Sequence, residues 1–376
     1  MLRRAFALLL AALVIILSFP YAATPVYDLV PLQPQAGSQW FNPYSSTDST
    51  WLKANVHLHS YAWFGTTDGR RNSIAAIDSA YRALGYTVLA LSNYQRIDSL
   101  GYRWPHIPCY EHGYNIQKTH QLVLGARSVV WFDCLLPQSV FVKQWILDLL
   151  RPTAEVLIAA HPSFGRPSYR LSDMTLLSNY DCLEVFNHYR TSLAHWDSAL
   201  SSGIIVWAVG NDDCHDVTRE GETGVCLTVV AVPQHWIPQN LYQAYREGRT
   251  IAVRTRHAQL PVGVPHQRIA GDSLIVEAQS NADSIRFISD GGRTVAQAHN
   301  TNRASCFIDH RLHYIRAEIF SGETMYALNP IIRTANGQPA RHRRLIENLP
   351  LTVLYRVLWV LIYANALITL RRWTAR

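Results

Sequence analysis

The chain has 376 residues, 48% hydrophobic and 16% charged, with a formal net charge of +7. That much apolar material builds one large core, or a large and a small one, and excludes a disordered or fibrous chain. The basic excess is not a nucleic-acid stripe, because the arginines thicken near the two ends, where they flank apolar segments as membrane-adjacent charge does. A nucleic-acid partner is not expected.

The first residues, MLRRAFALLLAALVIILSFPYAA, set two arginines before an apolar stretch from Ala5 to Leu17, then Pro20 and small residues. Residues 1–23 read as an export signal or an uncleaved membrane anchor, and Tyr21, two before Ala23, meets the small-x-small cleavage rule poorly. Residues 24–50, rich in Pro, Ser and Gln, read as a linker. From 51 to 257 apolar strand-like runs at 52–58, 86–92, 121–126, 154–160, 182–187, 204–210 and 225–232 are interspersed with helical periods. The helices are 72–84, with Ile74, Ile77, Tyr81 and Leu84 on one face, then 138–150, 191–202 and 238–247, the last opened by Pro238 and stopped at Gly248. This alternation predicts an α/β fold, a parallel β/α barrel with ligands at the C-terminal strand ends.

Beyond 257 the texture changes. SLIVEAQS, SIRFIS, ASCFID, YIRAEIF and YALNPII are short β-type runs between turn residues, and 258–333 reads as a small β-sandwich. A basic linker, 334–350, leads to LTVLYRVLWVLIYANALITL at 351–370, long enough for a membrane helix although Arg356 and Asn365 interrupt it. Tyr355, Trp359, Tyr363, Arg371, Arg372 and Arg376 suit a membrane interface. Charge beside this segment is balanced, so Arg3 and Arg4 decide the orientation and place the body outside the cytoplasm, periplasmic or at the cell surface. The six cysteines, at 109, 134, 182, 214, 226 and 306, form no CxxC pair, which removes a zinc-ribbon or thioredoxin reading.

Metal-ligand residues recur as the ends of apolar runs: His57 and His59 in VHLHS, Glu111 in CYEHG, His120 in THQLVLG, His161 in AAHPSF, and Asp213 and His215 in GNDDCHD. At i and i+2 on an extended segment, His57 and His59 share a face and reach one ion. Asp213 completes that ion's set, Glu111 bridges as a carboxylate, and His120 and His161 serve a second ion. Two divalent ions about 4 Å apart can hold a bridging hydroxide and polarise a phosphoryl or acyl oxygen. A loop after His59 carries Asp68, Arg70 and Arg71; Arg70, Arg71 and Arg166 are placed to clamp an anionic substrate. Histidines 106, 112, 188 and 195 follow no such pattern and read as hydrogen-bonded or exposed, with His188, after LEVFN, also placed to line the mouth.

HLHS with a downstream DG, Glu111 followed nine positions later by HQLVLG, AHP, LEVFN and GNDDCHD, in that order, resemble the polymerase-and-histidinol-phosphatase (PHP) superfamily. The HWDSALSSGIIVWAVGNDDCHD stretch and the closing YIRAEI and YALNPI runs resemble its exported members, over residues 51–333. The resemblance implies a distorted seven-stranded β/α barrel followed by a small β-domain, hydrolysing phosphate esters with two or three ions of zinc, manganese or iron. The first ion would take His57, His59, Glu111 and Asp213; the second Glu111, His120 and His161; a third Asp68, a histidine after the second strand, and His215. The chain departs from the pattern there, with Asn93 and Tyr94 where Asp-His is usual. Tyrosine, with a pKa near 10, is a poor ligand at neutral pH. Without that ion His215 is left to donate a proton or bind substrate. The expected function is a membrane-attached metal-dependent phosphoesterase; the alternatives are a carboxylic or carbamic ester hydrolase at the same site, and an inactive binding module.

Overall fold

The apolar runs between 86 and 232 become strands that are buried on both faces, and serines cap two of the helices. The computed structural model describes residues 2–30, 32, 34, 36–45, 49–65, 72–165, 168–256, 260–339 and 345–375. Helix α1 (Leu2–Ala23) is followed by β1 (Gln39–Phe41), β2 (Thr50–Asn55), α2 (Ile74–Ala83), β3 (Val88–Leu89), β4 (Cys109–His112) and β5 (Gln121–Leu124). Next come α3 (Val140–Leu150), β6 (Val156–Ala159), the short α4 (Leu171–Met174), β7 (Cys182–Asn187), β8 (Arg190–Thr191), α5 (Leu193–Ser201) and β9 (Trp207–Asn211). The chain continues through β10 (Cys226–Val232), α6 (Pro238–Arg246), β11 (Thr250–Arg254) and β12 (His266–Ala270). It ends with β13 (Ser273–Ser289), β14 (Arg293–Phe307), β15 (Tyr314–Ser321), β16 (Thr324–Thr334) and α7 (Leu349–Ala375). Helices α2 and α3 start at Ser73 and Ser139, whose side chains accept the Ala76 and Val142 amides that a first helical turn leaves without partners.

These strands form two mixed sheets, neither of them closed. One has ten strands, ordered β12-β13-β15-β16-β11-β10-β2-β3 with β1 on β16 and β14 on β13; the other has six, ordered β4-β5-β6-β7-β8 with β9 on β7. The expected β/α barrel is therefore not formed. Pairing is parallel for β2 with β3, β6 with β7 and β7 with β9, and antiparallel in the other pairs. Nor do the C-terminal strands make a separate sandwich, because β11 pairs with β16 from Ile251↔Leu328 to Arg254↔Met325 and so continues the sheet that holds β2 and β10.

Strand β10 shows why the sequence misleads. An all-apolar strand such as CLTVVAV is the mark of a parallel sheet covered on both faces. Here it lies antiparallel to both neighbours, β2 and β11, and is covered on both faces all the same. Cys226, Val230 and Val232 enter one core with β4 to β7 and β9, while Leu227 and Val229 enter a second with α2, β13 and β15. Alternation decides which core a side chain enters; apolarity leaves the strand's direction open. Between the cores' outer elements, the buried Arg316 of β15 donates to both oxygens of Asp197 on α5 at 2.7 Å and to Glu318 at 2.7 Å, and lies 4.8 Å over the Trp196 ring. Breaking such a buried pair costs about 3–5 kcal/mol.

Two helices among the described residues are long and apolar enough to cross a membrane, Arg4–Ala23 within α1 and Leu349–Trp373 within α7. By length and composition they can anchor the protein, and α1 can also be a signal. They run antiparallel: Ser18 Oγ lies 2.9 Å from Tyr363 Oη, and Arg356 donates to the Ala23 carbonyl at 2.9 Å. Arg356, which interrupts the apolar run, thus caps the last turn of α1, where carbonyls lack helical partners. Beside the cap, Asp28 donates its amide to the Ile346 carbonyl at 3.0 Å and Asn348 its amide to that of Val26 at 2.8 Å. The two helices leave the body side by side, and their far ends point the same way.

Candidate metal centre

The site lies where one edge of each sheet meets the other. His57 and His59 follow β2 of the large sheet; Glu111 in β4, His120 just before β5, His161 just after β6, and Asp213 just after β9 come from the small one. Because β4 and β5 are antiparallel, with Glu111 opposite Leu122 and His112 opposite Gln121, the start of β5 lies at the same edge as the end of β4. Backbone bonds stitch the edges together: Asp213 donates to the His57 carbonyl at 2.9 Å, His59 to that of Cys214 at 3.0 Å, and Gln95 to that of Glu111 at 3.0 Å. His161 (φ 27°) and Asp213 (φ 54°) sit in the left-handed region. That conformation is costly outside glycine and clusters at functional sites, where it re-aims a side chain.

Four buried donors converge. His57 Nε2 is 3.3 Å from Glu111 Oε2 and 3.2 Å from Asp213 Oδ1; His59 Nε2 is 3.1 Å and 3.2 Å from the same two oxygens. Donors spaced this way fit around a cation with bonds of about 2.0 Å, the length of zinc–nitrogen and zinc–carboxylate bonds. The other oxygen of Glu111 faces a second set: Oε1 is 2.5 Å from His120 Nδ1 and 3.2 Å from His161 Nε2. These are two potential metal-holding groups among the described residues, joined through one carboxylate. His57 Nε2, Glu111 Oε2, Asp213 Oδ1 and His120 Nε2 are buried without a hydrogen-bond partner. A protein interior rarely tolerates that many orphaned polar atoms; a divalent ion would satisfy those turned toward it.

Glu184 of β7 organises the centre from behind. Its Oε1 accepts from His57 Nδ1 at 3.0 Å and from Asn211 at 3.0 Å, and its Oε2 from the His161 amide at 2.9 Å and from Asn187 at 3.0 Å. The proton fixed on Nδ1 leaves Nε2 of His57 as the donor toward the ligand cluster, the usual arrangement behind a metal-binding imidazole. Burial alone would lower His57, but the carboxylates of Asp213, Glu184 and Glu111 outweigh it and hold the imidazole well above its ordinary range. Burial likewise pushes Glu111 and Asp213 up, and the surrounding histidines overcome it and hold both well below the carboxylate range. Burial also works against protonating His161, and the Glu111 hydrogen bond with the Asp213 charge leaves it raised.

Around this centre the remaining sequence candidates divide. His215 is at the rim, its side chain 25% exposed, with Nδ1 donating to the Asp213 carbonyl at 3.0 Å and the ring stacked 4.2 Å from His59. It belongs to neither ligand group. Tyr94 forms a wall, stacked 4.8 Å from His59. Asn93 is used structurally, giving its amide to Ser60 Oγ at 2.8 Å and Asp98 at 2.6 Å. Asp68, Arg70, Arg71 and Arg166 lie outside the described residues. His112, His188 and His195 donate to the backbone carbonyls of Phe132, Asp212 and Tyr169. Sequence reasoning missed Glu184, although LEVFN stands out in the chain; a charged residue in an otherwise apolar strand was the available signal.

No protein-family model matches the chain, and no curated protein matches it. Among solved structures, PsfC from Pseudomonas syringae PB-5123 superposes with a TM-score of 0.38 at 15% identity, over 56% of this chain and 93% of PsfC. That likeness is too slight to carry an argument about fold or chemistry.

Proposed function

We propose that the chain is a membrane-attached, metal-dependent hydrolase of phosphate esters with its catalytic body outside the cytoplasm. The observation that carries this reading is Glu111, whose two oxygens face separate histidine sets within one buried cluster. His57, His59, Glu111 and Asp213 would hold one ion, and Glu111, His120 and His161 a second; the set suits zinc, manganese or iron. When bound, such a pair supplies Lewis acidity and activates water near neutral pH, chemistry that complements a doubly oxygenated, anionic phosphoryl group. The order of the motifs resembles that of PHP hydrolases and favours the same reading, although the barrel that this resemblance implied is not formed.

The chain's own residues do the rest. Glu184 fixes the His57 tautomer, and Tyr94 closes one side of the cluster. Lys118 Nζ, 5.9 Å from the Tyr94 ring centre, places a cation beside the mouth for an anionic substrate. His215 is the rim residue positioned to exchange a proton with a leaving alkoxide, and with Nδ1 engaged on Asp213 the exchange falls to Nε2. Arg3 and Arg4 favour a cytoplasmic N-terminus by the positive-inside rule, while the balanced arginines before and after α7 do not weigh on the orientation.

The test is hydrolysis of bis(p-nitrophenyl) phosphate, p-nitrophenyl phosphate and p-nitrophenyl acetate by the full chain in detergent with added zinc or manganese. Turnover of a phosphate ester that disappears in the His57→Ala/His59→Ala variant is the expected result. Turnover of the acetate alone would move the assignment to carboxylic esters, and turnover unchanged by the double substitution would reject the site.

A further inference from the structure

Outside the metal cluster, large apolar side chains stand in solvent along one face. Phe64 is 92% exposed, Ile116 62% and Trp131 60%, and Trp63, Leu135 and Leu136 are exposed beside them. Short contacts make them one surface: the Trp63 and Trp131 ring centres are 6.1 Å apart, and the Ile116 amide donates to the Leu135 carbonyl at 2.9 Å. At one end the face touches the membrane helices, because Tyr21 near the end of α1 donates its hydroxyl to the Leu136 carbonyl at 2.6 Å. At the other it reaches the metal cluster, because Trp63 Nε1 donates to the Tyr94 carbonyl at 2.8 Å and Tyr94 stacks on His59. The Arg96 guanidinium lies 6.0 Å from the Trp63 ring centre, and Lys118 stands over Tyr94.

We infer that this face seats on the bilayer in which α1 and α7 are anchored, and that the phosphate ester cleaved is the head group of a membrane lipid. The occupant follows from continuity: Leu136 is bonded to the last turn of α1, so the face begins at the depth where that helix leaves the membrane. Its chemistry agrees, with tryptophans and aliphatic side chains beside exposed Arg and Lys, the composition that settles at the interface of anionic lipids. A lipid head group held at that depth lies next to Tyr94 and His215 without leaving the bilayer, whereas a soluble ester gains nothing from the apolar approach. The substrate class rests on the phosphoesterase reading; the docking surface does not.

Two measurements on the full chain separate these parts. With the six native thiols buried, Ile116→Cys carries a nitroxide selectively, and in vesicles of phosphatidylcholine and phosphatidylglycerol its collisions with oxygen are expected to exceed those with a water-soluble nickel chelate. A water-exposed label, or one immobilised by a second copy of the chain, overturns the docking. For the substrate, zinc- or manganese-loaded protein is given phosphatidic acid and phosphatidylglycerol in vesicles, against glycerol 3-phosphate and bis(p-nitrophenyl) phosphate in solution. The lipid esters are expected to turn over faster, and Phe64→Ser/Ile116→Ser/Trp131→Ser to lose about tenfold or more on them, the effect of removing even one buried anchor, while keeping the wild-type rate on the soluble diester. Equal rates on lipid and soluble esters, unaltered by the triple substitution, overturn the lipid substrate and leave the phosphoesterase standing. No hydrolysis of any ester with the label in lipid overturns the phosphoesterase reading and its substrate, and upholds the membrane-facing surface.

Discussion

Asp212 and Asp213 are consecutive, acidic and buried, yet their replacement should have opposite consequences. The Asp212 carboxylate accepts from Asn55 at 2.9 Å, from Tyr81 at 2.8 Å, and from the Gly224, Val225 and Cys226 amides at 2.8 Å each. Three of those donors are backbone groups at the entry to β10 and cannot rotate away. Each buried donor left without an acceptor costs about 1–3 kcal/mol, so Asp212→Ala should lose about 3 kcal/mol at the least, a large part of the roughly 5–15 kcal/mol that holds a domain together. Asp213→Asn keeps the shape, and asparagine accepts the left-handed conformation at φ 54°. Neutralising Asp213 removes the first of the charges that hold His57 raised, but His57 retains Glu184 and Glu111 as partners and no backbone donor at the entry to β10 is orphaned, so the metal-free protein should lose less than Asp212→Ala does, while the first ion loses a charged ligand. Urea unfolding of the full chain in detergent and chelator, followed by tryptophan fluorescence, reads the first effect; metal content by mass spectrometry reads the second. An Asp212→Ala midpoint equal to wild type, or full metal content in Asp213→Asn, would refute the division of labour.

Three further outcomes follow from the same geometry. His57 and His161 are raised by their carboxylates, so an incoming ion competes with protons for these imidazoles: calorimetry in buffers of different ionisation enthalpy should show net proton release, and affinity that rises with pH. A pH-independent affinity would contradict it. Glu184→Gln leaves every ligand in place but weakens the hold on the His57 tautomer, and is expected to lower metal affinity about 10- to 100-fold; unchanged affinity in a competition titration with a chelator would sink that role. Gly113 has φ +129°, and a Cβ there would lie 2.6 Å from His120 Cδ2. Gly113→Ala should therefore displace His120 and reduce bound metal from about two ions to about one, with the His57 group still occupied, and a variant retaining both would show that His120 is not held by this contact.

Much of the element sequence was legible and the architecture was not. Every apolar run expected as a strand overlaps a strand, from β2 to β10, and the helices at 72–84, 138–150, 191–202 and 238–247 coincide with α2, α3, α5 and α6. Local pattern encodes these, since periodicity is a property of neighbours along the chain. Pairing direction is not local. A helix between two strands usually returns the chain for a parallel crossover, but β5 and β6 flank α3 and are antiparallel, as are β10 and β11 around α6. The long arginine-bearing segment at the end was ambiguous for a similar reason: Arg356 looks like a charge stranded in an apolar helix until the carbonyl of Ala23, more than three hundred positions away, supplies its acceptor.

The convergence of these side chains survived the error in architecture because it depends on strand ends sharing an edge, and not on the sheet closing. His57 and His59 follow their strand and His120 precedes its own, an order that a barrel of parallel strands would have to explain as an irregularity. In the open sheets it is required: β5 runs against β4 and β6, so its first residue, not its last, meets Glu111 and His161. Direction and ligand position therefore vary together, and the contact that matters, two oxygens of one glutamate each turned to a different imidazole set, is preserved. A sequence motif built on such ligands reports which side chains converge while remaining nearly silent about the sheet that delivers them.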